Sequence, residues 1–268
     1  MGIKGYQSIS LLPIILKYLM NTILTQLNNL RKEGKKSLAV LVDPDKITDA
    51  AHVNHVINLI KHAGADIVCV GGSLLVEQGF HNILREIKEK CCVPVVLFPG
   101  SPQQISRDAD AMLFLSLISG RNAELLIGQH VQAAPVLKKI GLEVIPTGYM
   151  IVDCGKQTTA SYISQTFPIP HNKPEIAAAT AMAGEMLGLK CIYLDGGSGA
   201  DKPVSPAMIE AVRAAVDIPI IVGGGIRTER QVQEAYDAGA DMIVIGTVFE
   251  NEPEMLFTLS EVKERWSK

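Results

Sequence analysis

Short runs of β-branched and other apolar residues alternate along the chain with longer amphipathic stretches, beginning near residue 37. This alternation predicts repeated βα units, and strands that are apolar throughout are typical of a parallel sheet buried on both faces. The predicted strands are Leu38–Val42, Ile67–Gly71, Pro94–Phe98, Ala111–Ser116, Glu143–Val152, Cys191–Asp195, Ile218–Val222 and Met242–Gly246. Eight such units in series predict an α/β fold, a closed (β/α)₈ barrel.

The amphipathic stretches between these strands predict the covering helices, which are Ile47–His62, Leu75–Lys90, Ala123–Lys139, Pro174–Leu187, Pro206–Val216, Glu229–Ala238 and Pro253–Arg265. One helix of the regular pattern is missing. Only Ser101–Ala109 separates the third strand from the fourth, which is too short for a covering helix. We expect that sector of the barrel to be irregular.

An apolar segment, Ile9–Met20, precedes the barrel. It contains Pro13 and Lys17, is shorter than the ~20 residues that span a bilayer, and is followed by no small-residue cleavage site. We therefore expect residues 1–35 to form a helical extension packed on the barrel, and residues 36–268 to form one catalytic barrel domain. A peripheral contact with a membrane is the alternative use of the segment.

Composition narrows the class of protein. Apolar residues make up 47% of the chain and aromatic residues 5%, so the core must be aliphatic. A formal net charge of −3 provides no basic surface for nucleic acid, which we exclude as a partner. The five cysteines form neither a CxxC pair nor a zinc-finger spacing, so we expect reduced thiols and a cytoplasmic location.

Glycine-rich loops follow the last three predicted strands, where a barrel of this kind carries its active site. The seventh strand leads into Gly223-Gly224-Gly225-Ile226-Arg227, the eighth into Gly246-Thr247, and the sixth into Asp195-Gly196-Gly197-Ser198-Gly199. Glycine allows backbone N–H groups to approach an anion closely, and a helix that starts there adds its positive end. The three loops predict a phosphate site.

Two side chains on the sixth strand are candidates for chemistry. Asp195 is predicted to lie in the barrel mouth, where a carboxylate can take a proton from a substrate hydroxyl. It can equally cap the turn that follows it. The hydroxyl of Tyr193 can point toward a ligand or pack in the core, and the sequence alone leaves both alternatives open.

Acidic residues follow the first strand in Asp43-Pro44-Asp45-Lys46, and Ser73 follows the second. Magnesium prefers a few carboxylates together with substrate phosphates, so Asp43 and Ser73 are candidate ligands; a simple turn is the alternative for the acidic pair. A cation site opposite a phosphate site implies two anionic substrates. The loop over residues 148–173 offers Tyr149, Lys156, Tyr162 and Lys173 to cover the second substrate, or simply exposes its lysines to solvent.

Taken together, these motifs resemble one known family. They are Val42-Asp43-Pro44-Asp45-Lys46, Gly71-Gly72-Ser73, Phe98-Pro99-Gly100-Ser101, Ser116-Leu117-Ile118-Ser119-Gly120-Arg121-Asn122, Tyr193-Leu194-Asp195-Gly196-Gly197-Ser198-Gly199, Val222-Gly223-Gly224-Gly225-Ile226 and Ile245-Gly246-Thr247. In this order they resemble the geranylgeranylglyceryl phosphate synthases and their PcrB-type bacterial relatives, over Leu38 to Glu250.

The resemblance implies a modified TIM barrel whose third helix is replaced by an extended segment. It implies a magnesium-dependent prenyltransferase of phospholipid biosynthesis, which joins sn-glycerol 1-phosphate to a polyprenyl diphosphate, expected to be geranylgeranyl diphosphate. Asp43 and Ser73 match the magnesium positions of the family. The glycerol phosphate site matches Tyr193, Leu194, Asp195, Gly196, Gly197, Ser198, Gly199, Gly224, Gly225, Gly246 and Thr247, and Tyr193 and Asp195 match the catalytic positions.

Two departures refine this expectation. Many members carry glutamate where this chain has Asp195, which is one methylene shorter, and some carry lysine where it has Leu41. The second difference favours the bacterial group II branch. Members form dimers or larger assemblies, so we expect a homo-oligomer, a dimer or a hexamer, with peripheral membrane contact for product release.

The prenyl tail needs an apolar groove, for which we name Phe98, Met112, Phe114, Leu115, Ile118 and Met150. Other functions remain open at this point. A different phosphate-binding barrel enzyme, such as a sugar-phosphate isomerase or a thiamine phosphate synthase-like transferase, is one alternative. A sensor that binds a phosphorylated ligand without turnover is another.

Overall fold

Eight parallel strands hydrogen-bond in chain order, and the eighth pairs with the first to close a barrel. The computed structural model describes residues 22–75, 79–246 and 255–266. The strands are β1 Ser37–Val42, β2 Ile67–Val70, β3 Val95–Leu97, β4 Ala111–Leu117, β5 Glu143–Ile151, β6 Cys191–Asp195, β7 Ile220–Gly223 and β8 Met242–Ile245. All eight predicted strands are confirmed, with ends that differ by at most two residues.

The helices surround the barrel and are α1 Ile23–Lys32, α2 Ala50–Ala63, α3 Phe80–Lys90, α4 Gln129–Ile140, α5 Thr159–Ser164, α6 Pro174–Met186, α7 Pro206–Ala215, α8 Glu229–Asp237 and α9 Met255–Glu264. Only a 3₁₀ turn, Pro102–Gln104, lies between β3 and β4, so the predicted gap in the helical layer is confirmed. The predicted helix over Ala123–Lys139 begins instead with a π-helical turn, Glu124–Gly128. The sequence analysis did not predict α5.

Successive side chains of each strand point alternately into the barrel and toward the surrounding helices, which gives two apolar layers. On β6, Cys191 and Tyr193 pack inside the barrel, while Ile192 and Leu194 pack between the barrel and its helices. The side chain at every second position of a strand points to the same face, so Asp195 also points inward. This register places the acid of the sixth strand at the mouth of the barrel.

Helix α1 closes the amino-terminal end of the barrel. Ile23 and Leu27 are almost completely buried and pack against the interior layer. The carboxylate of Glu143, at the start of β5, accepts the backbone N–H groups of Ile23 and Leu24, both at 2.9 Å, which satisfies donors that the first turn of a helix leaves free. Of the predicted extension, Ile9–Met20 lies outside the described residues, and the boundary at residue 35 stays a prediction.

Three aspartates at this amino-terminal end of the barrel make the same set of contacts, namely Asp66 before β2, Asp110 before β4 and Asp241 before β8. Each carboxylate accepts, at 2.8 Å, a backbone N–H of the preceding strand; the donors are Leu38, Val95 and Ile220. Each also forms an ion pair at 2.7–3.0 Å, with Lys263, Lys88 and Arg213 respectively. These carboxylates are fully engaged in holding strands and helices together.

No helix in the described ranges has the length and apolar character that crossing a membrane requires.

Candidate active site

A cavity of about 310 Å³ opens at the carboxyl end of the strands. Its walls come from the segments after β1, β2, β6, β7 and β8, together with the start of α5. Predicted site residues supply much of the lining, namely Asp43, Ser73, Tyr193, Asp195, Gly197, Ser198, Gly224, Gly225 and Gly246. The predicted cation side and phosphate side therefore face the same cavity.

The phosphate side is built from backbone. Gly224 and Gly225 have φ of 82° and 75°, a region that side chains disfavour. A Cβ atom on Gly224 would lie 2.5 Å from the backbone nitrogen of Gly197, so the β6 and β7 loops touch directly. The guanidinium of Arg227 donates to the carbonyl oxygens of Ala200 and Gly225, which ties the two loops together beside the cavity.

Asp195 is buried, and both of its carboxylate oxygens accept hydrogen bonds. The backbone N–H of Gly197 donates to Oδ1 at 2.6 Å, and the hydroxyl of Tyr149 donates to Oδ2. Burial raises the pKa of Asp195 above its usual value, while the two hydrogen bonds oppose that rise because they favour the ionised form. The residue therefore caps the turn and also lines the cavity, while its role as a proton acceptor stays a prediction.

The two tyrosines and Phe98 form an aromatic cluster beside this carboxylate. The Tyr193 ring stacks on Phe98 at 5.2 Å between centroids, and Tyr149 meets Phe98 and Tyr193 edge to face at 5.9 and 5.6 Å. Burial, and next the charge of Asp195, hold the pKa values of both tyrosines well above the ordinary one, so both remain protonated donors. Tyr193 thus packs in the barrel and also lines the cavity.

On the opposite wall, Asp43 accepts the backbone N–H of Asp45 at 3.2 Å, which is the turn considered from the sequence. Its carboxylate also lines the cavity and lies next to Gly72, and Ser73 follows on the same wall. The Nζ of Lys46 lies 3.9 Å from Oδ2 of Asp43 and lines the cavity too. In the described part of the chain, no group of three or more His, Cys, Asp or Glu side chains is arranged to hold a metal ion. The oxygens of Asp43 and Ser73 suit magnesium when substrate phosphates complete its ligands.

Not every predicted site residue reaches the cavity. Leu194 is fully buried in the outer layer, because its position on β6 points the side chain toward the helices. Gly196 packs against Cys154 and Gly199 lies near Lys156, and neither belongs to the lining. Thr247 lies outside the described residues.

A second cavity, of about 350 Å³, adjoins the first and shares four lining residues with it, namely Gly72, Ser73, Phe98 and Ala160. Apolar side chains from β3, β4, β5 and α5 dominate its walls, including Phe98, Pro99, Leu115, Leu117, Leu125, Ile151 and Ile163. His130 also lines it; the side chain is buried, its ring meets Phe114 edge to face at 4.4 Å, and burial lowers its pKa. The charged residue Glu124 lines the same cavity beside these side chains.

The second cavity continues into the sector where the covering helix is missing. A shallow groove there is lined by Pro102, Met112 and Phe114, and it shares Leu115 and His130 with the cavity. Four of the six residues named for a tail groove thus lie along this path. Ile118 and Met150 do not, because Met150 points outward from β5 into the core and Ile118 packs against Gly148.

Three contributions to the site were missed in the sequence. Tyr149 was considered as part of a cover, whereas it contacts Asp195. Arg227 was part of a quoted motif but had no assigned role, although an arginine two residues after a run of glycines is itself a signal for anion binding. Helix α5, which brings Thr159 and Ala160 to the cavity, has too short a periodic pattern to be recognised.

Comparisons with known proteins agree with this geometry. A sequence profile described as the PcrB family matches residues 29–264. The geranylgeranylglyceryl phosphate synthase of Spirosoma linguale is 52% identical over 91% of this chain and 98% of its own length, and that of Pyrococcus abyssi is 42% identical over 84% and 88%.

Among solved structures, (S)-3-O-geranylgeranylglyceryl phosphate synthase from Thermoplasma acidophilum, in complex with its substrate sn-glycerol-1-phosphate, superposes with a TM-score of 0.85. It is 32% identical in sequence, and the match covers 92% of this chain and 100% of that one. By profile, sequence and structure, this chain belongs to the PcrB family.

Proposed function

We propose that this protein is a prenyltransferase that forms an ether bond between sn-glycerol 1-phosphate and a polyprenyl diphosphate, with release of diphosphate. The observation that carries the proposal is the pair of adjoining cavities. One is a polar cavity with glycine loops, Asp195 and Asp43 in its walls. The other is a mainly apolar cavity that shares Gly72, Ser73, Phe98 and Ala160 with it. The named relatives that match most of the chain support the same reaction.

The residues of the polar cavity account for the acceptor half of the reaction. The β6, β7 and β8 loops hold the phosphate of glycerol 1-phosphate, with Arg227 adding positive charge beside them. The carboxylate of Asp195 accepts the proton of the terminal hydroxyl as that oxygen bonds to the first carbon of the prenyl group. The carbon–oxygen bond to the diphosphate breaks, and the diphosphate leaves with the bonding electrons.

The opposite wall accounts for the donor head group. Asp43 and Ser73 would hold magnesium, and a magnesium ion there would neutralise charge on the departing diphosphate. Lys46, next to Asp43, adds a further positive charge toward the same oxygens. Holding both anions in one cavity brings the acceptor oxygen and the prenyl carbon together without a separate encounter in solution.

The second cavity and the groove in the helix-free sector provide the place for the tail. A sugar-phosphate isomerase or a thiamine phosphate synthase-like transferase needs no apolar cavity of this size beside its phosphate site. The cytoplasmic location stays a prediction. A homo-oligomer is also a prediction, and it is supported by exposed apolar side chains on α4 and α6, namely Val131, Val136, Ile176, Met182 and Met186. Tyr162, Ile163 and Phe167 are exposed near the apolar cavity and support peripheral membrane contact.

The experiment is an assay by mass spectrometry with magnesium, glycerol 1-phosphate and prenyl diphosphates of several lengths. The expected product is the prenyl ether of glycerol phosphate, formed together with diphosphate and lost on chelation of magnesium. The enantiomer, glycerol 3-phosphate, serves as the control acceptor and is expected to react poorly. Hydrolysis of the diphosphate without ether formation, or no turnover with any donor, would contradict the proposal.

A further inference from the structure

The phenol of Tyr149 occupies the boundary between the two cavities. Its ring lines the apolar cavity, whereas its hydroxyl donates to Asp195, which lines the polar cavity. Tyr149 is buried, and β5 and β6 pair so that Tyr149 lies opposite Tyr193, two residues before Asp195. The contact therefore depends on the barrel register and on no flexible loop.

The two hydrogen bonds to Asp195 each fix one oxygen of its carboxylate. The N–H of Gly197 holds Oδ1 from the phosphate loop, and Tyr149 holds Oδ2 from the side of the apolar cavity. With both oxygens held, the side chain is fixed in one orientation, and the residue lines the polar cavity in which the proposed reaction places the acceptor hydroxyl. A third protein donor to these oxygens is absent from the described residues.

We infer that Tyr149 is a positioning residue for the proposed transfer reaction: its hydroxyl holds Asp195 ionised and oriented at the point where the two substrates meet. The expected change in the pH dependence of kcat/KM rests on the proposed function. The expected change in the pKa of Asp195 does not. The hydrogen bond favours the charged carboxylate over the neutral acid, so loss of the hydroxyl makes Asp195 harder to ionise.

The surroundings of Asp195 contain several other titratable or charged groups. They are Tyr193 on β6, Cys69 on β2, Cys154 after β5, and the cavity residues Asp43, Lys46 and Arg227. Burial raises the pKa of Cys154 to about 12, and burial likewise raises that of Cys69 to about 12, so both thiols are neutral across the working range. The tyrosines are neutral for the same reason, which leaves Asp195 and Asp43 as the carboxyl groups of this cluster, so the test must assign the titration to one of them.

The test compares Tyr149→Phe with Tyr236→Phe. Both substitutions remove one buried hydroxyl that donates a hydrogen bond, but Tyr236 donates to the backbone carbonyl of Ser37 and lines neither cavity. For Tyr149→Phe, the acid limb of the kcat/KM profile is expected to move to higher pH by about one unit, since a hydrogen bond to a charged group has roughly that effect. The KM for glycerol 1-phosphate at the pH plateau should stay within about twofold. For Tyr236→Phe the limb should not move.

A measurement without substrate separates this inference from the proposed reaction. Carboxyl-carbon NMR of aspartate-labelled protein, assigned with Asp195→Asn, is expected to show a higher pKa for Asp195 in Tyr149→Phe than in the wild type. If that pKa and the acid limb are both unchanged, the inference is wrong even when the wild type is fully active. If the NMR shift is present but the wild type transfers no prenyl group, the proposed function fails and the positioning contact stands.

Discussion

The two ends of the barrel use aspartate for opposite purposes. At the amino-terminal end, Asp66, Asp110 and Asp241 are each paired with a lysine or arginine and each hold the N–H of a strand. At the carboxyl end, the partners of Asp195 among the residues that the structure describes are a backbone N–H and a neutral phenol, and it faces a cavity. A carboxylate whose charge is neutralised by a neighbouring cation stabilises the fold, whereas one held by neutral donors keeps its charge available to a substrate.

The largest effect is expected from Asp195→Asn, which removes the charge at the carboxyl end and keeps the side-chain size. Loss of a general base typically costs a factor of 10²–10⁴, and we expect kcat/KM for ether formation to fall by about that much. The melting temperature should change little or rise, because burial opposes the charge of Asp195 in the folded protein. Retention of full activity would remove Asp195 from the mechanism.

The complementary substitution at the other end is Asp241→Ala. It leaves the half-buried guanidinium of Arg213 without its carboxylate and the N–H of Ile220 without its acceptor. Breaking a pair of this kind costs about 3 kcal/mol of unfolding free energy, which thermal or denaturant unfolding measures. The KM values of the folded protein should remain those of the wild type. A large change in KM with unchanged stability would contradict the division between the two ends.

A smaller effect is expected from Gly224→Ala. The added Cβ atom would lie 2.5 Å from the backbone nitrogen of Gly197, so the β6 and β7 loops must separate. The alanine would also have to adopt the left-handed backbone conformation of Gly224, which side chains disfavour. Strain of about 1–3 kcal/mol is expected to appear as an increase of roughly tenfold in the Kd for glycerol 1-phosphate, measured by calorimetry.

Gly64→Ala is the matched control for this substitution. Gly64 also has a positive φ, 66°, but it follows the last residue of α2, at the amino-terminal end of the barrel. A Cβ atom there would meet nothing within 4 Å. The control should lose stability and keep its affinity for glycerol 1-phosphate. An equal loss of affinity in both variants would show that backbone strain alone, and not the contact between the loops, weakens binding.

The sequence was most informative where the structure depends on local backbone. The strand order, the missing helix and the glycine loops follow from patterns of a few adjacent residues, and the structure has each of them. The contact between Tyr149 and Asp195 could not be predicted in that way, because it joins residues 46 positions apart through the strand register. The same holds for Leu194, whose direction depends on which face of β6 turns inward. Side-chain contacts across the barrel are set by tertiary packing, which no local pattern encodes.

The smallest effect concerns the second, apolar cavity at the carboxyl end of the barrel. The shape of this cavity depends on side chains rather than on backbone. Leu115 lies where the second cavity passes into the groove of the helix-free sector, since it lines both. Leu115→Trp should block this passage and shift the preferred donor toward shorter prenyl chains by several-fold in kcat/KM, because each methylene excluded from an apolar site loses about 0.8 kcal/mol of binding. The Kd for glycerol 1-phosphate should not change, since Leu115 is not part of the polar cavity.

The control for this substitution is Leu187→Trp, at a position after α6 whose side chain is 83% exposed, and it should leave the donor preference unchanged. An unchanged preference in Leu115→Trp would mean that the tail does not follow the gap left by the missing helix, and that the apolar cavity serves another part of the donor.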